Sequence, residues 1–161
     1  MSRNEKKFAK LPLLAAFVAL IGLGDAVYLT VKHYTAAPVP CNILEGCEMV
    51  LTSAYATLPG ILTAVFGMDA SGVPAVPLSL FGALAYLTAF VLAVLSAFGN
   101  RLTWTLFTVQ AVFMALFSVW LIYLQAFVIG AFCQFCLLSA GISFTLFIIA
   151  LISFFRRSKF A

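Results

Sequence analysis

Four cysteines fall in two pairs, Cys41/Cys47 and Cys133/Cys136. Thiols exchange disulfides, and each pair carries two electrons. Cys133-Gln134-Phe135-Cys136 has the C-x-x-C spacing of a switchable dithiol. At a helix start, its i, i+3 separation sets both sulfurs on one face. The helix dipole and free N–H groups there favour a thiolate, the nucleophile of exchange. A zinc site typically uses closer cysteine pairs than C-x5-C, with about two to four intervening residues. His33 is the only histidine that could complete such a site. The expected chemistry is therefore a disulfide relay without a metal. Two static structural disulfides, or free thiols packed as small hydrophobes, are the alternatives.

Something must hold these pairs, and the composition says what. Of 161 residues, 65% are hydrophobic and 9% are charged. A soluble domain is about 45–50% apolar and about 25% charged. The chain reads as a single all-α integral membrane domain over 1–161. Spans are expected over about 11–31, 78–98, 102–128 and 132–155, since roughly 20 helical residues cross the hydrocarbon core. The first is too long for the core of a signal peptide, and no small-residue cleavage site follows it.

The net charge of +4 points to topology and not to nucleic acid. Arg3, Lys6, Lys7, Lys10, Arg101, Arg156, Arg157 and Lys159 fall on one side of a four-span layout, and only Lys32 on the other. That asymmetry predicts cytoplasmic termini, with all four cysteines on the outer, oxidising face. In a prokaryote this is the inner membrane.

The long connection is an outer loop over 33–77. Its segment 45–56 reads as a short amphipathic helix capping the bundle. Residues 58–68 are apolar but too short to span, and read as interfacial or re-entrant. Asp69-Ala70-Ser71-Gly72 reads as a turn, and Gly99-Asn100-Arg101 as a tight helical hairpin.

The ordered set Cys41-(x5)-Cys47-Glu48, Ser53, Pro77-Leu78-Ser79-Leu80-Phe81-Gly82 with Tyr86, and Cys133-x-x-Cys136 resembles the vitamin K epoxide reductase family in its prokaryotic form. So does Gly24-Asp25-Ala26-Val27-Tyr28-Leu29-Thr30 in the first span. The resemblance implies a four-helix bundle around a quinone, with a capping helix from the outer loop. It implies that Cys136 reduces the quinone, that Cys47 exchanges with Cys133, and that Cys41 meets a thioredoxin-like or DsbA-like partner. The implied function is a membrane thiol:quinone oxidoreductase that promotes disulfide formation outside the cytoplasm. Reduction of vitamin K epoxide itself and a non-enzymatic tetraspan scaffold are the other readings. In DsbB-type enzymes the C-x-x-C comes first in the chain, opposite to the order here.

Two departures bear on this. Many prokaryotic members continue into a thioredoxin-like domain, whereas this sequence stops at Ala161, so a separate partner is expected. The vertebrate enzymes hydrogen-bond the vitamin K head group with an Asn and a Tyr where this chain has Leu78 and Ala140. That favours quinone over epoxide as substrate. The stretch 56–76 is longer than is usual for the prokaryotic group.

A quinone needs an apolar slot with a few polar groups at its head. The candidates are Phe81, Tyr86 and Phe135, with Ser53 and Ser79 as donors. Asp25 is an intramembrane acid, costly unless paired or hydrated. It could supply protons, form a structural hydrogen bond near the quinone, or simply face water. Gln110 and Gln125 read as inter-helix hydrogen-bonding residues. Trp104, Trp120 and Tyr55 read as interfacial anchors, and His33 as a helix-end residue.

Overall fold

The computed structural model describes residues 3–36, 38–41, 46–70, 72 and 74–158. Its long helices are α1 (Arg3–Thr35), α4 (Leu78–Ala97), α5 (Arg101–Tyr123) and α6 (Gln134–Ser158); the short helices α2 (Cys47–Leu51) and α3 (Leu58–Phe66) lie between α1 and α4. Four segments are long and apolar enough to cross a membrane: Leu11–Thr35, Leu78–Ala97, Leu102–Ile129 and Gln134–Phe155. They match the expected spans to within a few residues.

The four long helices form a closed ring in which α1 touches α4 and α6, and α5 touches α4 and α6. Small side chains make the closest seam. Ala15, Ala19 and Ala26 of α1 and Ala83, Ala89 and Ala93 of α4 are all buried. Between apolar helices in lipid the driving force is van der Waals contact, which small residues improve by letting backbones approach. Asn100 caps α5 by accepting from the Leu102 N–H at 3.0 Å, one of the orphan donors of a helix start.

Two expectations need correction. The capping helix over 45–56 is two short pieces: α2, then a 3₁₀ turn at Ala54–Ala56. Glu45 lies outside the described residues. The break falls where Thr52 Oγ1 donates to Glu48 O and Ser53 Oγ to Val50 O, each at 2.7 Å. Such side-chain bonds to the local backbone compete with helix continuation. Trp104 is no interfacial anchor. It lies on the bundle-facing stripe with Phe107 and Ala111, buried and stacked on the Phe107 ring at 4.9 Å.

Residues 58–76 form an excursion closed at its base. Thr57 and Pro77 make an isolated antiparallel bridge, and the Leu58 N–H donates to Val76 O at 2.9 Å. The apolar stretch read as too short to span is α3, which ends on Gly67. Ser71, from the expected turn, lies outside the described residues.

Candidate functional site

The end of α5 decides where the C-x-x-C sits. Its last turn, Leu124–Ile129, is π-helical and stops on Gly130, at φ 71°. A left-handed residue at that point favours glycine, since it lacks a Cβ. π turns widen a helix and recur at functional sites. Here the turn carries buried Gln125, whose Oε1 accepts from the Cys133 N–H at 2.9 Å. Gln125 thus fixes Cys133 just ahead of the first turn of α6.

Cys41 and Cys47 form a disulfide, while Cys133 and Cys136 are free thiols. Cys47 and Cys133 are both 0% exposed and share one buried cluster with Val50; Cys41, Phe135 and Cys136 pack against it. The two pairs therefore meet. Gly46 lets them do so: a Cβ there would lie 2.8 Å from Phe132 O and 2.9 Å from Phe132 N. The Gln134 amide adds a tie to Pro40 O at 3.2 Å, next to Cys41. The Cys136 thiol beside Cys133, aided by the N–H groups of Cys136 and Phe135, lowers the Cys133 pKa to about 7 against the opposing effect of burial. A thiol of low pKa is also a good leaving group in exchange.

Below this cluster lies a cavity of about 460 Å³, within the usual size for small-molecule sites. Cys136 is on its wall and Cys133 is not. Asp25, Ser53, Ser79, Phe81 and Tyr86 line it, as do His33, Tyr55, Gln110 and Gln125. The exposed lining residues are Phe81 (43%), Phe113 (69%) and Phe117 (44%), so the cavity opens sideways between α4 and α5. Phe135 does not line it: its ring packs on Tyr28, with centroids 5.4 Å apart.

The polar lining is specific about its hydrogens. Ser53 donates to Val50 O, so it offers a ligand its lone pairs and not its proton. The Ser79 and Thr30 hydroxyls lie 3.0 Å apart, and the Thr30 O–H also reaches Ala26 O at 2.7 Å. The Tyr86 hydroxyl donates to Ser139 O at 2.7 Å and lies 2.9 Å from the hydroxyls of Ser139 and Ser143. Gln110 Nε2 reaches from α5 to Ala85 O and Thr88 Oγ1 on α4, both at 2.7 Å. That bears out an inter-helix role. Asp25 Oδ2 is buried and meets no hydrogen-bond partner.

A model of the vitamin K epoxide reductase family matches residues 13–151. The chain belongs to that family. A comparison with curated proteins finds no match. Membership in the vitamin K epoxide reductase family makes this an integral membrane protein with a redox function. It also gives the meeting of two cysteine pairs beside a cavity a chemical meaning. Leu78 and Ala140 both line the cavity.

Ser139, Ser143 and Gly46 escaped the sequence reading. The serines had a usable signal: with Cys136 and Ala140 they recur at helical spacing on one face of α6. Gly46 had only its place directly before a cysteine.

Proposed function

We propose that this protein is a membrane thiol:quinone oxidoreductase that accepts electrons from a separate thioredoxin-like protein on the outer face. The observation that carries the reading is the shared burial of Cys47 and Cys133, with Cys136 next along on the cavity wall. It is the arrangement a two-stage disulfide relay needs.

A partner thiolate attacks the Cys41–Cys47 disulfide, and a second attack frees both cysteines and leaves the partner oxidised. Cys47 then attacks Cys133 in a Cys133–Cys136 disulfide. A Cys47–Cys133 bond forms, and Cys136 leaves as a thiolate facing the cavity, where it takes up one of the protons given up by the attacking cysteines. Cys41 attacks Cys47 in turn, re-forming Cys41–Cys47 and releasing Cys133, whose low pKa suits it to leave. One disulfide at the cap and two thiols at Cys133 and Cys136 are consistent with the end of these steps. A bound quinone would accept two electrons and two protons; the chemistry is its own, and the protein supplies position.

The cavity fits such a group, with aromatic walls, a sideways opening and a few polar atoms at the cysteine end. Leu78 and Ala140 bring no hydrogen-bonding side chain to it, which favours a quinone over an epoxide. The lysine and arginine distribution supports cytoplasmic termini and outward cysteines.

The test is electron transfer from a reduced thioredoxin-like donor to decylubiquinone by purified protein, followed by quinone absorbance. Wild type turns over and Cys136→Ala does not. Full transfer by Cys136→Ala defeats the relay. In intact cells, an impermeant maleimide should label reduced Cys41 without lysis; labelling only after lysis defeats the orientation.

A further inference from the structure

Asp25 is the one carboxyl among the residues lining the cavity. It lies within a helix long and apolar enough to cross a membrane, where an acid is costly unless paired or hydrated. Neighbouring polar groups are bonded within the protein: Tyr86 to Ser139, Gln110 to Ala85 and Thr88, and Gln125 to Cys133. Asp25 Oδ2 is not, although it is buried. Packing gives no account of this oxygen.

The proton balance of the relay leaves a role open. Converting two thiols into a disulfide releases two protons and two electrons, and a quinone takes up the same. Cys136 faces the cavity and can pass its proton directly. Cys133 is fully buried outside the lining, so its proton needs a carrier. Cys133 stands three residues before Cys136, which shares the cavity wall with Asp25. The other titratable groups on the wall suit the task less. His33 is in the last turn of α1, two helical turns from Asp25, and the Tyr86 hydroxyl is bonded to Ser139 and Ser143.

We propose that Asp25 is the proton-transferring catalytic residue of the quinone half-reaction, a role that rests on the thiol:quinone reading above. As the Cys133–Cys136 bond forms, the electron pair passes to the quinone. The Cys136 thiol protonates one quinone oxygen, and the Asp25 carboxylic acid protonates the other. The carboxylate left behind takes the proton released by Cys133. Two thiols and a quinone give one disulfide and a quinol, with Asp25 returned to its starting form.

Two measurements test this on the full-length protein. An apolar carbodiimide, dicyclohexylcarbodiimide, modifies carboxylic acids held neutral within membranes. Peptide mass mapping should find it on Asp25, with decylubiquinone protecting that site. In a single turnover of pre-reduced protein, Asp25→Asn should slow quinol formation by about 100-fold, the scale of lost acid–base catalysis. It should lose the solvent deuterium effect while Cys47–Cys133 exchange and decylubiquinone affinity hold. Asp25→Glu should recover much of the rate. A wild-type rate in Asp25→Asn, or carbodiimide labelling indifferent to decylubiquinone, overturns the proposal. Failure of the parent reading looks different: reduced wild-type protein would then leave decylubiquinone oxidised. If Asp25→Asn does not fold, Asp25→Glu and the labelling of wild type still decide.

Discussion

Gly46 lies against the backbone of Phe132 with no room for a methyl group between them. The contact joins the cap to the turn between α5 and α6, one residue before Cys47 and one residue before Cys133. Gly46→Ala should push α2 away from Cys133. Overpacking of this kind costs about 1–3 kcal/mol, so exchange should slow by about tenfold or more. A Cys41→Ser/Cys136→Ser background isolates the Cys47–Cys133 bridge, whose rate of formation can be followed on non-reducing gels. Gly141→Ala, with open space around its Cβ, should leave that rate unchanged.

Removing Cys136 should change the acidity of Cys133. The Cys136 thiol is the largest cause of the Cys133 pKa of about 7. In Cys136→Ala the value should rise toward the ordinary thiol range, about 8.5. The sign is definite: at neutral pH the variant holds less Cys133 thiolate than the wild type. Thiolate ultraviolet absorbance of reduced protein against pH reads it, and an unmoved midpoint contradicts the hydrogen-bond account.

Gln125 should matter through its carbonyl oxygen. Gln125→Leu leaves the buried Cys133 N–H without its acceptor, which costs about 1–3 kcal/mol. Gln125→Glu keeps an acceptor at the same reach. The leucine variant should lose thermal stability in detergent and form the Cys133–Cys136 disulfide more slowly, and the glutamate variant should do neither to the same degree.

Tyr86→Phe tests the polar knot between α4 and α6. It removes a hydroxyl that bonds Ser139 and Ser143. A loss of about 1 kcal/mol per bond is expected, seen as a lower melting temperature in detergent.

The spans were legible because membrane helices advertise length and apolarity, signals that need no tertiary context. The C-x-x-C was legible because its spacing is local. Phe135 was read as a cavity wall and instead packs on Tyr28. In a chain with 17 phenylalanines, nothing local separates a core ring from a ligand-facing one. Trp104 failed for the same reason, since lipid and bundle core are equally apolar. Gln125 was read as a bonding residue, but its partner depends on the π turn, which no periodicity announced.

The excursion over 58–76 leaves and rejoins the cap at one point, where Thr57 meets Pro77. Among the described residues, the cavity lining passes from Ala56 to Pro77 and takes nothing from between. The two ends are thus already held at hairpin distance. A two-residue turn spliced in place of 58–76 would keep the described lining residues and both cysteine pairs in the chain, and would remove the packing of α3 on Ala54–Ala56. The same splice point would accept a graft, such as an epitope or a tethered redox partner, beside the cavity wall at Pro77.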